Sequence, residues 1–242
     1  MAKKYISFLI FYFFSISMFC QIGNAVYGKQ LESLSINKSG TSDDIDQSIK
    51  KILENLETHE YQLVFNDREA FYKKNKSLNS NVNPIVKAMT EGVANFKGTI
   101  FFDSSSEIVL HELEFAGVNY LIKKNKIDWI LTKDTLQIDN YLCYKAKTTI
   151  IINNLKGKHE LEVIAWYAPE IPIPYGPDGY GGLPGLILQL NNNGIITSLK
   201  KIEFFKKDKT IDIELPTKGE KVSEDEFSSI VAKQYANRKN KY

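Results

Sequence analysis

Ile45, Ile49, Ile52, Leu53 and Leu56 recur at three- and four-residue spacing with polar residues between them. That spacing puts them on one face of a helix over 42–57, and Ser42-Asp43-Asp44 supplies N-cap chemistry at its start. The period changes at Glu60. Tyr61, Leu63 and Phe65 alternate with Gln62, Val64 and Asn66, which predicts a strand. Residues 73–83 are a polar loop rich in Lys, Asn and Ser. Asn83 before Pro84 reads as an N-cap with proline in the first turn, so 84–93 forms a short helix or, failing that, an ordered loop. Strand signals then follow at hairpin spacing: 96–103, 107–115, 118–123, 126–131, 141–152, 159–167, 186–191 and 195–205. Asn125 and 153–157 are turns, and Asn193-Gly194 is a type I′ hairpin signal. A polar run reaches Pro216. Ser223 with Glu226 makes a capping box, and Phe227, Ile230, Val231 and Tyr235 share a face, with Arg238, Lys239 and Lys241 near the end. Residues 21–41 look like a loose lead-in or a short edge strand. The whole predicts one α+β domain over 42–242: a long antiparallel, meander-like sheet with an N-terminal and a C-terminal helix.

Residues 166–188, WYAPEIPIPYGPDGYGGLPGLIL, interrupt the alternation. They hold five of the chain's seven prolines and five glycines. Proline fixes φ and glycine opens φ > 0, so their alternation writes one backbone path that is neither helix nor ladder. Pro169, Pro172, Gly176, Pro177, Gly181, Gly182, Pro184 and Gly185 are read as structural, forming a corner in which one proline could be cis. Trp166, Tyr167, Glu170, Tyr175, Asp178, Tyr180 and Leu183 are the candidate ligand or partner surface. Glu170 and Asp178, the only acids there, could meet a ligand cation or cap backbone amides. The glycines make no phosphate cradle, since neither Lys-Ser/Thr nor a helix start follows.

Several pieces of this stretch resemble one family. Ala165-Trp166-Tyr167, Pro169-Glu170-Ile171-Pro172, Tyr175-Gly176-Pro177 and Gly182-Leu183-Pro184-Gly185-Leu186-Ile187, with Leu188 after it, are similar to the hallmark of GLPGLI proteins. Ile127-Asp128-Trp129 and Tyr141-Leu142-Cys143-Tyr144-Lys145-Ala146 also follow its pattern, so the resemblance spans roughly 60–205. It implies an exported protein, found mainly in Bacteroidota, with a sheet architecture. It implies no reaction.

Charge and cysteine usage agree with export. Lys3 and Lys4 precede an apolar run to Cys20, the form of a signal peptide over 1–20. That run is shorter than the about 20 residues of a membrane span. Cleavage after Cys20 or near Ala25 fits type I export. Lipidation at Cys20 is disfavoured by the bulky Met18 and Phe19. Without Lys3 and Lys4 the 31 basic residues balance the 29 acidic ones, which argues against nucleic acid as a partner. Only Cys143 then remains, so no disulfide framework holds the domain and its hydrophobic core must. The expected location is the periplasm, the periplasmic face of the outer membrane or the medium, with membrane contact only during export.

Candidate chemistry is sparse. His111-Glu112-Leu113-Glu114 and His159-Glu160-Leu161-Glu162 repeat four letters on two predicted strands, and His111 and His159 could share a metal if those strands were neighbours. Cys143 alternates onto the face of Lys145 and Lys147, whose charges could activate its thiol. Neither a Gly-x-Ser-x-Gly elbow nor a His-Glu-x-x-His pattern is present. No cofactor is expected. The favoured function is an exported, non-enzymatic binding or carrier protein. Its sheet would wrap an apolar ligand in the manner of the lipoprotein-carrier (LolA-like) half-barrel. The alternative is an accessory module docking on an outer-membrane transporter or secretion machine. A third reading is an enzyme or metal-binding protein using His111, His159 or Cys143.

Overall fold

The strand that joins the two halves of this protein is the first one. In the computed structural model, which describes residues 21–32, 43–76, 82–154, 157–206 and 211–239, β1 (Gly23–Leu31) pairs on one side with β2 (Glu60–Phe65) and on the other with β11 (Ile195–Phe204). The sequence reads there as a loose lead-in or edge strand, and the strand is instead central. Its residues are weakly apolar, and both partners are remote in sequence, so tertiary pairing decides its state. The expected leader (1–20), Ser42, residues 77–81, the middle of the 153–157 turn and Lys241 lie outside the described residues. A cut near Ala25 would remove the start of β1, whereas one after Cys20 leaves it whole.

From β2 the chain meanders outward through β3 (Glu69–Lys74), β4 (Thr99–Asp103), β5 (Ile108–Phe115) and β6 (Val118–Lys123). It then restarts at the opposite edge with β7 (Ile130–Ile138) and returns through β8 (Tyr141–Asn154), β9 (Gly157–Ala168) and β10 (Leu186–Asn192) to β11. β12 (Glu220–Ser223) adds the far edge, parallel to β6. The 12-stranded order is β12-β6-β5-β4-β3-β2-β1-β11-β10-β9-β8-β7. It is an open, mainly antiparallel sheet with three helices among the described residues, an α+β fold as expected. β3 and β12 are not evident in the sequence pattern, and the strand expected at 126–131 begins only at Ile130.

The link between β6 and β7 dictates the sheet's shape. Residues 124–129 connect strands ten places apart in the order. Laid flat, ten spacings of about 4.8 Å would be about 48 Å. A link of that length reaches at most about 25 Å when fully extended. The sheet must therefore curl until its two ends approach.

α1 (Asp43–Glu57) and α2 (Pro84–Ala94) pack on each other, with Asn55 donating to Thr90 Oγ1 at 3.0 Å. α2 starts as its sequence predicts, Asn83 Oδ1 accepting from Ile85 N at 2.8 Å with Pro84 in the first turn. α3 (Glu224–Lys239) starts with the Ser223–Glu226 capping box, closed in both directions at 2.7 and 3.2 Å. Phe227 anchors α3 on Phe115 and Tyr120.

Candidate functional site

The Pro/Gly segment between β9 and β10 folds into the core. Its backbone bonds chiefly to itself and to the strand ends: Gly182 N donates to Pro174 O (2.9 Å), Leu186 N to Ile171 O (2.9 Å) and Ile187 N to Tyr175 O (3.0 Å). A 3-10 turn occupies Pro177–Gly179, and the described residues contain no cis peptide. Ile171, Ile173 and Tyr175 join a core with Tyr27, Tyr61, Phe65, Tyr72 and Phe102. Tyr180 and Leu183 join a second, with Ala146, Val163 and Tyr167. β8 alternates, so Cys143 and Ala146 face opposite ways and the segment serves both faces of the sheet there.

This placement revises the expected surface. Tyr175 (2% exposed), Tyr180 (9%) and Leu183 (2%) are buried, as is Tyr167. Trp166 is half-buried beneath the Lys145 ammonium, 5.7 Å from its ring centre. Glu170 alone of the seven candidates is exposed. Docking a partner through the buried aromatic side chains would require pulling them from the core. Of the residues read as structural, Gly176, Pro177 and Gly185 are buried, Gly181 is half-buried, and Pro169, Pro172, Gly182 and Pro184 face solvent.

Asp178 makes the contact that sequence reasoning missed. Its Oδ2 lies 2.8 Å from Nζ of Lys29 on β1, and Lys29 is 2% exposed against 14% for the acid. The ammonium also donates to Ala94 O at 2.9 Å and sits 4.8 Å above the Tyr61 ring and 5.5 Å from that of Phe96. α2 and the Pro/Gly segment thus meet over β1 at one charge. Thr197 donates to the same carboxylate at 3.3 Å, while Oδ1 has no partner. The hydroxyls of Tyr61 and Tyr72, whose rings stack at 5.8 Å, are also unpartnered. Burial first and the Asp178 charge second push both phenols above their ordinary pKa, so both stay protonated.

His111 on β5 and His159 on β9 lie on strands third and tenth in the order, so the two repeats do not form the neighbouring pair a shared metal needed. The His111 ring nitrogen meets Lys97 O at 2.6 Å and its ring stacks on Phe96, whereas His159 is exposed. No group of three or more His, Cys, Asp or Glu placed to hold a metal occurs among the described residues. His59 is buried at 3.1 Å from Lys74 Nζ, and burial and then that charge lower its pKa. Cys143 is fully buried and burial raises its thiol to about 11. Lys145 and Lys147 are held by Asp134 and Glu162 at 3.2 Å each. At pH 8 a thiol reagent such as Ellman's is therefore expected to label Cys143 only in denaturant. Rapid labelling of the native protein would show an accessible thiolate. Between pH 9 and about 11 an unfolded thiol loses its proton while the folded one keeps it, so stability present below pH 9 falls as pH rises through that window.

A cleft of about 280 Å³ opens where the curled ends meet. Its walls come from three stretches: Phe102 to Val109 on the β4–β5 hairpin, Lys124 to Ile127 on the β6–β7 link, and Pro174 to Gly182 of the Pro/Gly segment. Trp129 Nε1 donates to Gly181 O at 2.9 Å and ties the link to the segment. Tyr175 stands in the wall with its ring 5.3 Å from that of Phe102, and its buried hydroxyl has no partner.

The comparisons with known proteins bear on this segment and on the fold. A family model described as a protein of unknown function (Porph_ging) matches residues 153–189, which cover the end of β8, all of β9, the Pro/Gly segment and the start of β10. No curated protein matches the chain. Two solved structures of PNGF-II, in C2 and P21 crystal forms, superpose on 87% of this chain at 14% identity, with TM-scores of 0.53 and 0.50. The chain spans about a third of those proteins' length, 32% and 33%. At that identity the likeness is one of fold.

Proposed function

We propose that this chain is an exported, non-enzymatic cell-envelope binding protein of the GLPGLI kind, taking a small ligand into the cleft beside the Pro/Gly segment. The cleft carries the reading: a concavity of about 280 Å³, with Phe102, Val109, Ile127 and Pro174 as apolar wall, opens beside the segment and could take in a ligand. The cleft lies at the small end of the about 300–1,000 Å³ that drug-sized ligands occupy, which favours a compact ligand over a lipid acyl chain. Binding is favoured over catalysis because the buried thiol and phenols stay protonated and offer no activated nucleophile or base. The leader-like 1–20 supports export, and the matched family model covers the stretch that bears the GLPGLI hallmark.

Native mass spectrometry of the protein purified from its own envelope tests this. An adduct is expected on wild type and absent from Ile108→Trp, which places an indole in the cleft at a half-buried position. Thermal unfolding of the variant checks that it remains folded. An adduct that survives Ile108→Trp in a folded protein would place the ligand elsewhere, and bare wild type would count against binding.

A further inference from the structure

We infer that His59, Lys74 and Glu91 form an acid-sensitive latch, which holds α2 on the sheet at neutral pH and releases it in mild acid. The three come from three places in the fold: His59 joins α1 to β2, Lys74 ends β3 and Glu91 lies on α2. Lys74 Nζ stands 3.1 Å from Nε2 of His59 and 2.5 Å from Oε1 of Glu91. An ammonium has protons to give and no lone pair, so Nε2 must accept. The ring is therefore neutral, with its own proton on Nδ1. His59 is 4% exposed, so almost no water reaches it to solvate a second proton.

Protonating Nε2 removes that hydrogen bond and sets an imidazolium against the ammonium. Lys74 of β3, Lys29 of β1 and Lys87 of α2 all oppose the charge, and Glu91 of α2 alone favours it. Burial first, and Lys74 second, hold the ring below its ordinary pKa of 6.5. The unfolded chain thus takes the proton first. The stability this ring lends is full above pH 6.5 and is lost as pH falls below it. α2 is the element that gives. Among the described residues its polar ties to the sheet are Glu91 to Lys74 and the Ala94 carbonyl to Lys29, and a charged His59 weakens the first. None of the three latch residues lines the cleft, so the latch stands apart from ligand binding.

Amide exchange over Thr90–Ala94, expressed as protection factors, reads the latch directly. From about pH 7.5 to about 5.5 these should fall roughly tenfold or more, while those of β10 hold. In His59→Gln the amide oxygen can still accept from Lys74 and gains no proton, so protection in α2 should stay level. Thermal unfolding at neutral pH checks that this variant is folded. His111 is also half-buried and remains in place, so a fall that persists in His59→Gln assigns the effect to another group and overturns the latch. The His59 ring resonances, followed by NMR, give a second readout that needs no folded His59 variant. The wild-type ring should titrate below its ordinary value, and Lys74→Met should move that titration upward, because the imidazolium then meets Glu91 without the ammonium. A wild-type ring that titrates at or above 6.5, with α2 still protected, would mean that Lys74 swings into solvent and Glu91 takes the imidazolium; the latch would then be wrong.

Discussion

Asp178→Asn is expected to destabilise the fold by about 3–5 kcal/mol, the usual consequence of leaving one partner of a buried ion pair uncompensated. The substitution isolates charge from backbone. Asp178 has φ 57°, in the left-handed region, and asparagine is among the side chains that adopt it most readily. Lys29 would keep the Ala94 carbonyl and the faces of Tyr61 and Phe96 but lose the carboxylate 2.8 Å away. Lys29→Met in the same protein should restore part of the loss, because it removes the buried charge left uncompensated, although the Ala94 carbonyl then loses its donor. Urea unfolding of the two single variants and the double closes a cycle for the pair. A loss under about 1 kcal/mol for Asp178→Asn alone would mean that the ammonium reaches solvent, contrary to its burial.

Local chemistry is legible in the sequence, and contacts between distant stretches are not. Asn83 caps α2 and Ser223 with Glu226 caps α3 because each cap is made within three residues of itself. The Asn193-Gly194 hairpin is readable since both residues tolerate the positive φ they adopt, 55° and 79°. Ala116-Gly117 takes up a similar pair, 52° and 82°, yet alanine gives no such notice. Cys143 shows a different limit. Alternation places it on the face of Lys145, but burial raises its pKa first of all, and burial is not visible in the local pattern. The cleft is invisible for the same reason: its three walls meet only because the short β6–β7 link forces the sheet to curl.

The Pro/Gly stretch reads in the sequence as the candidate surface and folds as a wedge in the core, which makes its glycines unequal. Gly185 has φ 157°, and a Cβ there would lie 2.3 Å from the Ala168 carbonyl oxygen and 2.6 Å from its carbon. Those are backbone atoms at the point where Leu186 of β10 pairs with Ala168 of β9, so relief requires opening the ladder that seats the wedge. Gly185→Val is therefore expected to cost more than about 4 kcal/mol, enough to leave little soluble folded protein. Gly182, three residues earlier in the same motif, has φ 82° and no atom within 4 Å of the point where a methyl group would stand. Gly182→Ala therefore bears only the left-handed strain of about 1–2 kcal/mol. Soluble yield and thermal midpoint of the two variants, measured side by side, separate architecture from function. A Gly185→Val protein as soluble and as stable as Gly182→Ala would mean that β9 and β10 can part without loss of the core, and the wedge would then be a movable element rather than a fixed one.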